Sequence, residues 1–392
     1  MSAPFSSYAA EIYLRGLGDE VPRYPADPSH LEEAARSVLT DGPFGYIAGG
    51  AGQGTTMRAN RSAFDRHGFV PRMLRDTTSR DWSTTVLGTS MPAPLLTAPI
   101  GVMSILHADG ELAVARAAAS LGVPMVLSTA SSYTTEEVAE ASGDGPRWYQ
   151  LYWPTEDAVT VSLLQRARAA GYTTLVVTLD TWTLGWRPVD LDGAYLPFLR
   201  GVGTAIPFSD PAFRAGLAKA PEDDLMAAVG RWVPMFTGTA LRWDRLDLLR
   251  EHWDGPIVLK GVQHVDDALH ALDAGMDGII VSNHGGRQVD RAIGSLDALP
   301  GIVGAVGGRA PVLFDSGVRT GSDAAVALAL GADAVLLGRP MAYGLAIGGE
   351  EGVRHVLRSV LAELDLTLAL AGFADLASLR AAPDVLGRVP AR

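Results

Sequence analysis

Eight short apolar runs, most followed by a segment of helical periodicity, constrain this chain more than any other feature. They are "APLLTAPI" (93–100), "VPMVLST" (123–129), "RWYQLYW" (147–153), "TTLVVTLD" (173–180), "PIVLKG" (256–261), "GIIVSNHG" (278–285), "PVLFDSG" (311–317) and "AVLLGRP" (334–340). Segments between them, such as "GELAVARAAASLG", "EDAVTVSLLQRARAAG" and "VDDALHALDAG", repeat apolar residues at helical spacing. Continuous apolar strands alternating with amphipathic helices indicate a parallel sheet buried on both faces. Eight such units predict an α/β chain of the (β/α)8 TIM-barrel class, with functional residues at the C-terminal ends of the strands. An open doubly wound sheet competes with this. No G-x-G-x-x-G turn follows the first run, which counts against the open sheet.

Residues 1–90 are expected to form an N-terminal helical segment packing on the barrel. "PSHLEEAARSVL" opens there behind an Asp27/Ser29 capping signal. Residues 91–392 are expected to form the barrel, with one connection far longer than the rest: 75 residues separate Asp180 from Pro256. An insertion of that size at the catalytic end reads as a lid, at roughly 185–250, with an oligomer contact as the alternative.

Composition narrows the function classes. Apolar residues make up 47% of the chain and charged residues 19%, enough for a large core. A formal charge of −12 argues against nucleic acid or an anionic membrane as partner. The absence of cysteine excludes disulfides, thiolate nucleophiles and Cys-ligated metals, and no metal site is expected. No apolar run approaches the ~20 residues of a membrane span, and the N-terminus does not read as a secretory signal. A soluble, cytoplasmic protein is expected.

The ends of the runs carry polar residues: Gln150 and Tyr152, Thr178 and Asp180, Lys260, then Ser282, Asn283 and His284, then Asp315, then Gly338 and Arg339. Each alone has a structural explanation. Six strand ends that turn polar groups to one face predict a site. Lys260 offers a compact positive charge for an anionic ring system, and Ser128, Gln150 and Thr178 offer neutral hydrogen bonds. The turns "DSGVRTG" and "LLGRP", with Arg319 and Arg339, fit the phosphate site that barrels place after strands seven and eight. His284 suits a general base, Arg287 a bidentate carboxylate clamp, and Arg187 a second clamp. Asp180 can orient His284 or, alternatively, cap a helix.

Together, "SNHGGRQ", "LKGV", "QLY", "TLDT…GWR", "DSGVRTG" and "LGRP" resemble the FMN-dependent α-hydroxy-acid oxidising enzymes, over nearly the whole chain. The resemblance implies FMN as cofactor, a small 2-hydroxy acid and O2 as reactants, and a homotetramer or homo-octamer. It implies that His284 takes a substrate proton as two electrons pass to flavin N5, with Asp180 as its partner. Arg187 and Arg287 grip the substrate carboxylate, and Tyr46 and Tyr152 hydrogen-bond the substrate. Lys260 lies beside flavin N1 and O2. Ser128, Gln150, Thr178 and Ser282 contact the ring and ribityl chain, and Gly285 and Gly286 keep the backbone close to the flavin. Ala98 and Pro99 supply backbone near the ring. Asp315, Gly317, Arg319, Gly338 and Arg339 hold the ribityl and phosphate groups.

Within the family, "EIYLRGL", "TLDTWTLGWRPVDL…PFLRG" and Ser316 in "DSGVRTG" resemble the lactate 2-monooxygenase branch, which converts L-lactate and O2 to acetate, CO2 and water. Plain oxidase or dehydrogenase chemistry on lactate or a larger acid is the alternative, and a non-redox phosphate-binding barrel is one from another class. Glycolate-oxidase-like members carry tryptophan where Ala130 stands here. Tyr133, Trp153, Trp182, Trp186 and Phe198 are candidates to line the space this leaves.

Overall fold

Each of the eight apolar runs forms a strand in the computed structural model, which describes residues 4–236, 241–382 and 384–389. The strands are β1 (Leu95–Thr97), β2 (Met125–Ser128), β3 (Arg147–Leu151), β4 (Leu175–Thr178), β5 (Ile257–Val262), β6 (Gly278–Val281), β7 (Val312–Phe314) and β8 (Ala334–Leu337). All pair in parallel with their chain neighbours, and β8 pairs back onto β1, so the sheet closes into a barrel. The open doubly wound sheet is thereby set aside.

Side chains along each strand alternate between two separate cores. Leu96, Val126, Trp148, Val176, Val258, Ile280, Leu313 and Leu336 belong to the inner one. Leu95, Leu127, Tyr149, Val177, Leu259, Ile279, Phe314 and Leu337 belong to the outer one, which includes the surrounding helices. Both sets are buried, so the runs show no polar alternation. A small antiparallel ribbon, Thr84–Val86 with Thr89–Met91, plugs the N-terminal end. Its Val86 and Met91 join the inner core, and Thr89 Oγ1 accepts a 2.8 Å hydrogen bond from Trp148 Nε1.

The segment before the barrel carries the helices Ser7–Gly16, Leu31–Val38, Asp41–Ala48 and Thr55–Asp65. Asp27 caps the short turn Pro28–His30 by accepting from the Ser29 amide. Besides the ribbon, His67–Phe69 pairs antiparallel with Leu386–Arg388. The helical expectation missed these strands because three residues are too short for a period of two to register.

Between β4 and β5 the chain forms the short helices Pro188–Asp192, Ala205–Ser209 and Pro211–Ala215, then Leu225–Phe236. Residues 237–240, part of the expected lid, lie outside the described residues. Helix Leu246–His252 follows, and its Leu246 and Leu249 join the outer core. No helix among the described residues is long and apolar enough to cross a membrane.

Candidate active site

Two positions beyond each inward-facing apolar residue, the same side of the strand arrives at the C-terminal mouth of the barrel. Those positions are Ala98, Ser128, Gln150, Thr178, Lys260, Ser282, Asp315 and Gly338. A cavity of about 370 Å³ opens over them. Its wall includes Ala98, Pro99, Lys260, Asp315, Gly317, Arg319, Gly338 and Arg339, with Tyr46, Tyr152, Arg187, His284, Gly285 and Arg287. Ser128, Gln150, Thr178 and Ser282 are buried at the same level without forming its wall, and Asp180 reaches it through His284.

His284 Nδ1 lies 2.8 Å from Asp180 Oδ1 and 2.9 Å from Thr181 Oγ1, which itself donates to Asp180. Acceptance by the carboxylate assigns the proton to Nδ1 and leaves Nε2 for chemistry. Burial pulls the imidazole below its ordinary value. Asp180 opposes that pull, while Lys260 and Arg187 add to it, so the ring is neutral at neutral pH. Burial alone would raise Asp180. The attraction of His284 whenever that ring is protonated, the charge of Lys260 and the hydrogen bonds from His284 and Thr181 outweigh it, and the carboxylate stays ionised. Asp180 therefore orients His284; the helix-cap alternative is not what the structure contains. Glycine at 261 makes room for the pair: its φ is +102, and a Cβ there would stand 2.8 Å from Asp180 Cβ.

Lys260 Nζ donates to Ser282 Oγ at 2.9 Å and pairs with Asp315 Oδ2 at 3.1 Å. Burial works against its charge, but Asp315 and Asp180 more than compensate and hold it protonated. Arg187 donates to the Arg287 carbonyl at 3.0 Å and to Gln288 Oε1 at 2.6 Å. Arg287 donates to the Gly49 carbonyl at 2.8 Å, lies 3.6 Å from Asp190 and sits 5.0 Å above the Tyr46 ring. Burial, then repulsion from Arg187, lowers Arg287 to about 10. Arg339 is lowered to about 9 by burial and by the charges of Arg319 and Arg287.

These residues fit a phosphorylated, hydrogen-bonding cofactor. Four arginines line one cavity, and Asp190 is the carboxylate that faces Arg287. Such a surplus of buried positive charge calls for anions. Both ends of the Gln150 amide, and Arg287 Nη2, are buried without a hydrogen-bond partner among the described residues. A buried amide left empty at both ends costs free energy that a polar ring system would recover.

The structure adds protein partners at three expected positions and corrects the expected aromatic lining. A Cβ on Gly285 would meet Arg339 Nη1 at 2.8 Å, and one on Gly286 would meet Met57 at 2.8 Å. Gly285 lines the cavity, and both glycines also admit the protein's own side chains. Arg339, expected at the phosphate, lines the cavity and also donates to the carbonyls of Ile47, Gly285 and Gly49. It clamps the loop before helix Thr55–Asp65 to the His284 turn. Of the five aromatics expected near Ala130, Phe198 lines the cavity. Tyr133 donates to the Ala108 carbonyl, Trp153 is buried in the outer core, and Trp182 and Trp186 are 48% and 73% exposed. Trp232 and Phe236 line it instead, stacked in sequence with Phe198 at 4.8 and 5.5 Å.

Several residues in the site were not anticipated: Thr181, Gln288, Asp190 and Asn60. Asn60 and Asn283 exchange amide hydrogen bonds of 2.8 and 2.7 Å, tying helix Thr55–Asp65 to the His284 turn. Thr181 adjoins Asp180 in "TLDT" and Gln288 follows Arg287, so adjacency was the available signal. Asn60 carried none. Among the described residues, no group of three or more His, Asp or Glu is placed to hold a metal.

Fold and site together define a barrel oxidoreductase built around a phosphorylated cofactor. The chain belongs to the FMN-dependent dehydrogenase family, whose model matches residues 35–385. It is 50% identical over 377 residues to the FMN-dependent alpha-hydroxy acid dehydrogenase qulF of Penicillium citrinum, covering 95% of this chain and 94% of that one. It is 43% identical to an L-lactate oxidase of Lysinibacillus sphaericus, covering 94% and 95%. A mandelate oxidase solved with benzoyl-formic acid superposes with a TM-score of 0.81 at 37% identity, covering 93% of this chain and 98% of that one. The protein is thus an FMN-dependent 2-hydroxy-acid oxidoreductase, and the non-redox barrel is set aside.

Proposed function

We propose that the protein oxidises a small L-2-hydroxy acid and, with L-lactate, acts as a 2-monooxygenase: lactate and O2 give acetate, CO2 and water. The observation that carries the reading is the His284–Asp180 pair, anchored at Nδ1, in one cavity wall with two arginines, Arg187 and Arg287. Bound FMN supplies the two-electron acceptor. Ser128, Gln150, Thr178, Lys260 and Ser282 would hold its ring and ribityl chain, with backbone at Ala98 and Pro99. Asp315, Gly317, Arg319, Gly338 and Arg339 would hold the ribityl and phosphate end.

His284 takes the substrate proton, and Asp180 stabilises the imidazolium that results. Arg187 and Arg287 bind the carboxylate. Tyr46 and Tyr152 remain protonated because burial raises both phenols, so each can donate a hydrogen bond. The insertion contributes Arg187, Phe198, Trp232 and Phe236 to the cavity wall. That supports a lid which keeps the 2-oxo acid and peroxide together long enough for decarboxylation. Cytoplasmic location and a homotetramer or homo-octamer belong to the same reading.

A second reading is oxidase or dehydrogenase action on a larger apolar hydroxy acid. The Phe198–Trp232–Phe236 stack beside the small Ala130 favours it. Anaerobic addition of L-lactate and of (S)-mandelate tests both: the acid that bleaches the flavin faster is the better substrate, and bleaching by neither refutes both substrate readings. Products per O2 then decide the outcome. Acetate and CO2 mean monooxygenase, and 2-oxo acid with free peroxide means oxidase.

A further inference from the structure

Ser316 stands in the left-handed region at φ +83, where glycine is the comfortable residue and a Cβ costs backbone energy. Its hydroxyl gives a reason for the exception. It accepts from the backbone N–H of Asn283 at 3.2 Å and of Gly285 at 2.9 Å, the two residues flanking His284. It donates to Asp315 Oδ1 at 2.7 Å. The other oxygen of Asp315 pairs with Lys260. One buried hydroxyl therefore joins the turn that carries His284 to the lysine–carboxylate pair on the neighbouring strands.

The His284 turn needs such a support. His284, Gly285 and Gly286 have φ of +57, +64 and +77, so three consecutive residues are left-handed. That path takes the Asn283 and Gly285 amides out of the sheet ladder, and buried amides require an acceptor. Ser316 is the acceptor both receive. Ser282 serves the residue between them, accepting from the His284 amide at 3.1 Å. Moving the turn would move Nε2 relative to the carboxylate clamps, and a displacement of ~1 Å in such a site can cost about 100-fold in rate.

We propose that Ser316 is a positioning residue: it fixes His284 and the Asp315–Lys260 pair in one frame, and its role rests on the reading of His284 as the base. Ser316→Gly is the decisive variant, because it removes the hydroxyl while giving φ +83 the residue it favours. Backbone strain then cannot explain a loss.

In the FMN-loaded variant, Tm should change little or fall, because relief at φ +83 is opposed by the loss of the acceptor for two amides. Hydrogen exchange of the peptide spanning 281–287 should be at least roughly tenfold faster. Anaerobic reduction by L-lactate should slow by at least about tenfold with KM within about twofold. In a His284→Ala background the same substitution should change the residual rate by less than about twofold, because the group it positions is gone. Equal losses in both backgrounds would mean general loosening and overturn the proposal. So would a Ser316→Gly enzyme with wild-type reduction and wild-type exchange, which leaves the His284 reading intact. Wild-type reduction by His284→Ala overturns that reading instead.

Discussion

The eight strand ends and the insertion between β4 and β5 face the same cavity, yet they are positioned by different means. At the rim, register decides. Ser128 lies opposite Gln150, and Thr178 opposite Lys260, because the strands pair there in parallel. Polar contacts such as Lys260–Ser282 and Asp315–Ser316 then lock the side chains. In the insertion, packing decides. Phe198, Trp232 and Phe236 come from two segments and meet by stacking. A rim held by a barrel can keep the tenths-of-an-ångström geometry that proton transfer needs, while a packed insertion can change shape between relatives without disturbing it. On the proposed reading, the rim carries the proton transfer, and the insertion, apart from Arg187, sets selectivity.

The largest expected effects lie at the rim. His284→Ala should keep its flavin and lose anaerobic reduction by ~10²–10⁴-fold, read by stopped-flow bleaching. A loss below tenfold would remove the base from the rim. The pH dependence carries a sign. Because burial lowers His284, the base is already neutral at pH 7. Reduction should therefore be level from neutral pH upward and fall as pH drops through a midpoint below the ordinary imidazole value of about 6.5. Asp180→Asn removes the charge that opposes this lowering, so the midpoint should move further down while the rate falls. A midpoint that moves up would contradict the pairing.

Arg287→Lys comes next. A lysine cannot reproduce the planar fork, and loss of one charge-assisted hydrogen bond is worth ~1.5–3 kcal/mol. Initial rates should show KM for the hydroxy acid rising by about 10- to 100-fold with a smaller change in kcat. An effect on kcat alone would place Arg287 with the base rather than with binding.

The same contrast explains what could be read from the sequence. Strands β1 to β8 announced themselves because both faces are buried, and the period of two that fills the inner core also delivers the rim residues. Trp148 leads to Gln150, and Val258 leads to Lys260, two steps along one face. Glycines at 285 and 286 were visible, but their neighbours were not. Arg339 and Met57 approach them from distant parts of the chain. Asn60 was silent for the same reason: its partner lies 223 positions away. In the insertion no periodicity links sequence position to direction, so aromatic residues could be noticed without being placed. Trp182 and Trp186 turned outward, whereas Trp232 turned in.

The insertion supplies the smallest effects, and they separate its two kinds of aromatic. Trp232 is buried between Phe198 and Phe236 on the cavity wall. Truncating it should alter the preference between L-lactate and (S)-mandelate, since a change of a few apolar carbons in a pocket is worth ~1–3 kcal/mol of discrimination. The expected readout is a shift of about 10-fold or more in the ratio of kcat/KM values, with reduction of the better substrate still fast. Trp186 is 73% exposed, and the contact it makes with the site is through its carbonyl, which accepts from the Gly52 amide at 2.8 Å. A side-chain truncation leaves that bond in place. Trp186→Ala should therefore change both kcat/KM values by less than about twofold, as for an exposed side chain away from any core. If Trp186→Ala instead shifts selectivity as much as Trp232→Ala, the insertion closes further over the substrate than its packing indicates. The division between a fixed rim and a shape-setting insertion would then have to be redrawn around a moving lid.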